Sequence, residues 1–262
     1  MENYFRGLNN KERSAFFAKV AYLAYEDPKT VEIFFDNIDF SIRYIEEKDA
    51  ECYVMIGESD VIVACRGTQV TEIKDLKTDL QAWPKKTPHS QEGLVHFGFN
   101  KYVNRVWKPV AGYIMEHNDK AVWFCGHSLG AAMASIMAIY CQVNPLLTDP
   151  TGLYTFGSPR VGTSDFVAQG EKIYHERWVN CIDIVTSVPL WAMGYRHFGT
   201  MMYLNHWGNY RKVTATQHVK DRWRGFRSGV KQKKANHFAN HSMEAYLNHI
   251  ERYRDDLENP QE

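Results

Sequence analysis

The sequence predicts a layered α/β protein with a mostly parallel central sheet and helices on both faces. Strand-like apolar runs alternate along the chain with amphipathic helical stretches, the order that builds βαβ units. The 262 residues are 44% hydrophobic and 14% aromatic, enough to bury a large core without disulfides or a structural metal. No internal repeat, low-complexity tract or linker interrupts the pattern, so residues 1–262 read as one domain.

The elements follow in order. Asn9 or Asn10 can cap a first helix near 11–25, whose apolar side is Phe16, Phe17, Val20, Ala21, Leu23 and Ala24. Pro28 marks its end. Strands are expected at Glu51–Ile56 and Val61–Arg66, joined by a turn of Gly57, Glu58, Ser59 and Asp60. Residues 69–92 are polar and weakly periodic, with Pro84 and Pro88 breaking anything longer than a turn. A helical pattern runs from 94 to about 117, with Pro109 as a kink. The apolar run Ala121–Cys125 leads through Gly126–Gly130 into a helix of small residues over 129–143. Strands are expected within Thr151–Phe156 and Ile173–Ile182, a pair of short strands at Met201–Leu204 and Tyr210–Val213, and a final helix from Ser242 to about Leu257.

Composition narrows the function classes. Lys plus Arg and Asp plus Glu number 31 each, so net charge points to no polyanionic partner, and no nucleic-acid recognition motif is present. The balance is local, however. Residues 196–241 hold ten Lys or Arg against one acid, Asp221, which reads as a solvated face or as a surface for anionic or phosphate-bearing lipid. The five cysteines sit in apolar runs with no zinc spacing, which suggests buried free thiols and a reducing compartment. The polar start, Met1 to Arg13, lacks the apolar core of a signal peptide. No run reaches the roughly 18 apolar residues of a membrane span. A cytoplasmic protein is therefore expected, with export independent of a signal peptide as the alternative. Nothing in the sequence sets an oligomeric state.

Chemistry concentrates at Gly126-His127-Ser128-Leu129-Gly130. A tight strand-to-helix turn would hold Ser128 in a strained, exposed position. Glycines two before and two after would remove side chains that clash where strand and helix approach. The helix behind it presents free N–H groups, so the Leu129 N–H is a natural oxyanion donor. A serine at an ordinary helix cap is the bland alternative. A serine nucleophile needs a base and the base an orienting acid. Eleven histidines leave the base open by composition. His127 should diverge from Ser128, His197, His206 and His218 suit solvated or structural roles, and His241 precedes the last helix. Asp183 follows a strand and can sit at its carboxyl end, where open α/β sheets place ligands. Thr68, in Arg66-Gly67-Thr68 after the second strand, can offer a further oxyanion donor. Arg66 can instead pair with a carboxylate to fix that loop.

These residues resemble the class 3 lipase family, the fungal-type triacylglycerol lipases, over roughly residues 50–250. The blocks that carry the resemblance are Val63-Ala64-Cys65-Arg66-Gly67-Thr68, Val95-His96-Phe97-Gly98-Phe99, Val122 to Ala132, Tyr154 to Gly162, and Val179-Asn180-Cys181-Ile182-Asp183-Ile184-Val185. The resemblance implies an α/β-hydrolase fold with Ser128 as nucleophile, Asp183 as acid, His241 as base, and Thr68 and Leu129 as oxyanion donors. It implies no cofactor or metal, a lipid or small acyl-ester substrate, and peripheral contact with a lipid surface. Gly157-Ser158-Pro159-Arg160 is expected to be structural, without chemistry. A short lid is expected within 69–92, but its apolar stripe of Val70, Ile73, Leu76 and Leu80 is narrow and its charge high. That favours a soluble ester, a monoacylglycerol or a phospholipid over a triglyceride emulsion. The alternatives are a phospholipase A acting on anionic phospholipids, or a non-catalytic binding protein that keeps the hydrolase fold. Ile184 stands where many relatives have Pro.

Overall fold

The structure, a computed structural model, describes residue 5 and residues 7–67, 83–181, 183–212, 214, 217 and 241–255. Thr68, residues 69–82 of the expected lid, and the basic residues from Lys220 to Lys234 lie outside the described residues.

Helix α1 (Asn10–Leu23) starts at an Asn9 capping box: the Asn9 side chain accepts from the N–H groups of Lys11 and Glu12, and the Glu12 carboxylate accepts from the Asn9 N–H at 2.7 Å. Pro28 does not simply end a helix; it opens a second one, α2 (Pro28–Asp36), at the first position, where its missing N–H costs nothing. Asp27 caps that helix by accepting from Lys29 and Thr30. Strand β1 (Ser41–Glu47), not foreseen in the sequence, pairs antiparallel with β2 (Ala50–Ile56), and β2 pairs antiparallel with β3 (Asp60–Cys65). Short strands β4 (Pro84–Lys85) and β5 (Val95–His96) precede the long helix α3 (Phe97–Glu116), which carries Pro109 internally. Then come β6 (Ala121–His127), α4 (Leu129–Val143), β7 (Pro150–Phe156), β8 (Gly162–Thr163) and α5 (Ser164–Ala168). Strand β9 (His175–Asn180), short β10 (Tyr195–Arg196), β11 (Thr200–Leu204), β12 (Tyr210–Arg211) and helix α6 (Met243–Asp255) follow.

The main sheet has eight strands in the order β1-β2-β3-β6-β7-β9-β11-β12. It is parallel from β3 through β11, as expected of a mostly parallel sheet, and antiparallel at both ends. Beside it lies a small sheet of β10, β8, β5 and β4.

Both faces of the centre are covered, and the strands divide their side chains between two cores with the period of two that a pleat imposes. Val61, Val63, Cys65, Val122 and Phe124 face the core built with α3 and α4. Ile62, Ala64, Trp123, Cys125, Tyr154 and Phe156 face the core built with α1 and α6. In the second core Phe17 of α1 stacks on Tyr154, ring centroids 4.3 Å apart. The Trp123 indole N–H donates to the buried Asp60 carboxylate at 2.8 Å. All five cysteines are buried and unpaired by disulfides.

Two buried histidines, His127 and His175, have pKa values held well below the usual histidine value, chiefly because burial disfavours the charged ring. The folded protein therefore binds fewer protons than the unfolded chain once pH falls below about 6.5. Stability is expected to be level above that pH and to fall below it. Thermal melts between pH 8 and pH 5 check this, and a melting point that rises on acidification would contradict it. Phe17→Ala is expected to cost about 3–5 kcal/mol in urea unfolding, the range for emptying a well-packed aromatic site.

Candidate active site

The carboxyl ends of the parallel strands β6, β7 and β9 converge on one edge of the sheet, and the site is built there. Strand β6 runs into α4 with no intervening loop, and the residue between them, Ser128, has φ 57° and ψ −123°. A non-glycine residue with positive φ is strained and must be held by its surroundings. The Ser128 N–H donates to Phe156 O at 3.0 Å, tying the turn to the end of β7. A Cβ on Gly126 would lie 2.5 Å from the Gly130 carbonyl group, and one on Gly130 would collide with the Cys65 carbonyl oxygen. The two glycines thus permit the tight turn and bring β3 against the start of α4. Leu129 is the first residue of α4, so its N–H is among those without an intrahelical acceptor.

The structure brings Ser128, His241 and Asp183 into one hydrogen-bonded line. Ser128 Oγ is 2.7 Å from His241 Nε2, and His241 Nδ1 is 2.8 Å from Asp183 Oδ2. All three side chains are fully buried. A carboxylate can only accept, so Nδ1 carries the proton and Nε2 presents its lone pair to the serine hydroxyl.

Asp183 lies three residues beyond β9 and is held from several sides. Its Oδ1 accepts from the Val185 N–H at 2.9 Å, and its Oδ2 accepts from the Tyr246 hydroxyl at 2.7 Å. Tyr246, on α6, accepts in turn from the Asn180 N–H at 2.9 Å. Burial first, and the Asp183 charge second, push the Tyr246 phenol well above its usual pKa, so it stays a donor. Arg160 fixes the backbone that follows Asp183, donating to the carbonyls of Ser187 and Pro189. His197 Nε2 bonds to Thr186 O at 2.8 Å and so serves the same loop.

Sequence reasoning missed several residues here. Gly157 has φ +59°, and a Cβ on it would sit 2.8 Å from Asp183 Oδ2 and 2.9 Å from His241 Cε1. The segment expected to be purely structural therefore makes room for the acid and base. Gly-Ser-Pro was its one visible signal. Tyr246 had none beyond its place on the final helix.

On the other side of the turn, Arg66 pairs with Glu51 at 2.7 Å, and Glu51 also accepts from the Tyr44 hydroxyl at 2.6 Å. Arg66 thus braces its loop on β2 by pairing with a carboxylate, as expected. His127 points away from Ser128: its Nδ1 is 2.7 Å from the Tyr25 hydroxyl and its Nε2 is 2.6 Å from the His241 carbonyl oxygen.

Comparison with known proteins adds the lineage. Residues 62–193 match the family described as Lipase (class 3). The toxin TseL of Vibrio cholerae is 36% identical over 121 residues, covering 45% of this chain and 18% of the toxin. The secreted mono- and diacylglycerol lipase LIP1 of Malassezia globosa is 32% identical over 127 residues, covering 45% of this chain and 39% of that protein. The chain therefore spans well under half the length of either relative. The structure of the Rhizomucor miehei lipase in its propeptide complex superposes with a TM-score of 0.63 at 23% identity, covering 75% of this chain and 70% of that one. That likeness establishes the α/β-hydrolase fold. It also bears on compartment: several relatives are secreted lipases by name, and the expectation of a cytoplasmic protein is overturned. The thiols behind that expectation carry no such signal, because a cysteine sealed in the core is shielded from oxidant in any compartment. No described helix is long and apolar enough to cross a membrane. With the family match spanning half of its residues and the fold agreeing, the chain belongs to the class 3 lipase family.

Proposed function

We propose that this protein is a serine hydrolase that cleaves carboxylic esters of lipids, with Ser128 as nucleophile, His241 as base and Asp183 as acid. The observation that carries the reading is the buried line from Ser128 Oγ through His241 to Asp183, with both contacts under 3 Å. Its two polarities agree: Asp183 fixes the proton on Nδ1, leaving Nε2 free to take the serine proton.

In the first half-reaction Ser128 Oγ attacks the ester carbonyl as His241 Nε2 takes its proton. The carbonyl oxygen becomes an oxyanion facing the Leu129 N–H at the start of α4, and Thr68 is the expected second donor. The imidazolium on His241 is stabilised by Asp183, then gives its proton to the departing alcohol. Water, deprotonated by the same imidazole, attacks the acyl-enzyme; the bond from Ser128 Oγ to the acyl carbon breaks, the fatty acid is released, and the imidazolium returns the proton to Oγ. The reaction calls for no cofactor.

Glycerolipid-like esters are the proposed substrates, in keeping with relatives named as mono- and diacylglycerol lipases. The basic residues that suggested an anionic phospholipid lie mostly outside the described residues and give that alternative no geometric support.

Two outcomes test the proposal. A fluorophosphonate probe is expected to label the folded protein and not Ser128→Ala, and that variant should lose on the order of 10³-fold or more in hydrolysis of p-nitrophenyl butyrate. A folded wild-type protein that neither labels nor hydrolyses would remove the mechanism. Tyr246→Phe is expected to lower stability by about 1.5–3 kcal/mol, the worth of a hydrogen bond to a charged group, and to lower kcat with it. Urea unfolding and steady-state kinetics read the two effects, and an unchanged kcat would show that Asp183 needs no help from the phenol.

A further inference from the structure

Tyr25 and His127 are polar, close to the site, and unused by the proposed mechanism. Tyr25 follows the end of α1 and is partly buried; His127 is the last residue of β6 and is buried. Their hydrogen bonds have a defined direction. The His241 carbonyl oxygen can only accept, so at 2.6 Å the His127 Nε2 must donate to it. Burial, with the neighbouring His241 as a second cause, keeps the His127 ring neutral, so Nδ1 is a lone pair. The Tyr25 hydroxyl, 2.7 Å away, therefore donates to Nδ1. Gly67 is seated so closely that any Cβ would strike both the Tyr25 hydroxyl and the His127 carbonyl oxygen.

The chain of bonds runs Tyr25 O–H to His127 Nδ1 and His127 Nε2–H to the His241 carbonyl, with its Tyr25 end packed against Gly67. It touches three separate segments: the loop after β3, the nucleophile turn, and the residue that carries the base. These are 60 to 174 positions apart in the chain and share no covalent geometry. We propose that Tyr25 and His127 are positioning residues, which hold the loop at Gly67 and the backbone of His241 in register with Ser128. Neither touches the reacting atoms. Their effect is on the distance between the serine hydroxyl, the imidazole and the oxyanion donors, where a displacement of an ångström is worth about a hundredfold in rate.

This inference rests on the hydrolase reading, and the test separates the two. Wild type, Ser128→Ala, Tyr25→Phe, His127→Gln and the Tyr25→Phe/His127→Gln double variant are compared with p-nitrophenyl butyrate and by the rate of fluorophosphonate labelling, each normalised to folded protein by circular dichroism. Gln in place of His127 can still donate toward the His241 carbonyl but offers nothing where Nδ1 accepts from Tyr25. Tyr25→Phe and His127→Gln are each expected to reduce kcat and the labelling rate by about ten- to a hundredfold, with KM within about twofold of wild type. Because both remove the same bond, the double variant should be no slower than the slower single variant. A Tyr25→Phe enzyme with wild-type kcat overturns the relay, as does a double variant whose loss is the product of the two single losses. If His127→Gln does not fold, the kcat and KM of Tyr25→Phe decide alone. A folded wild type that does not label sinks the hydrolase reading itself, whatever the variants do.

Discussion

Ser128 sits in a backbone conformation that an isolated chain would avoid, and the site is organised around keeping it there. Positive φ at a residue with a Cβ costs on the order of 1–3 kcal/mol and persists only when neighbours over-determine it. Here those neighbours are close backbone approaches. The Ser128 N–H is held by β7, Gly126 lies against Gly130, and Gly130 lies against the end of β3. The two glycine contacts require the absence of a side chain, so the glycines set how near the strand, helix and neighbouring loop can come. That nearness puts the start of α4, with its unsatisfied N–H groups, beside the serine oxygen.

The second constraint is electrostatic. Asp183 is fully buried, and an unpaired buried carboxylate would be expensive enough to neutralise itself. Three donors meet it: the His241 ring, the Tyr246 hydroxyl and the Val185 N–H. Only one of them is the base, so the other two secure the carboxylate while the imidazole moves its proton. Tyr246 arrives on α6, whose apolar face also packs into the core shared with α1. The burial that stabilises the last helix is thus the same packing that delivers a hydrogen bond to the acid. Arg160 and His197 act further out, on the carbonyls of the loop that carries Asp183.

What the sequence disclosed follows the range of the interactions. The nucleophile turn is local, five residues whose spacing states its own geometric need, and it was legible at once. Strands β3 and β6 were legible because their apolar runs, Val61–Cys65 and Ala121–Cys125, are uninterrupted by charge. Strand β1 was not: it is an edge strand whose Arg43, Glu46 and Glu47 dilute the pattern, and no residue in it is fully buried. Helix α2 was hidden because proline both stops helices and starts them, and only the Asp27 cap distinguishes the cases. The acid and base were named by resemblance, since 58 positions separate Asp183 from His241 and no local rule links them. Gly157 showed itself only through the Gly-Ser-Pro it opens, and Tyr246 and Tyr25 act only through folding, so their sequence surroundings carried no sign of the role.

The chemistry of the nucleophile's neighbour shows why a neutral ring suits that place. Catalysis by His241 passes through an imidazolium, and the His127 ring centroid lies 4.6 Å from that of His241. At such a distance a second positive charge in a dry site would oppose the imidazolium by several kcal/mol at an effective dielectric near 20. A lysine or arginine at this position could also grip the His241 carbonyl, but it would raise the barrier it was placed to lower. Histidine grips the carbonyl through Nε2–H and remains uncharged because burial depresses its pKa. Tyr25 contributes to the same end, since a hydroxyl that donates to Nδ1 occupies the site where the second proton would bind.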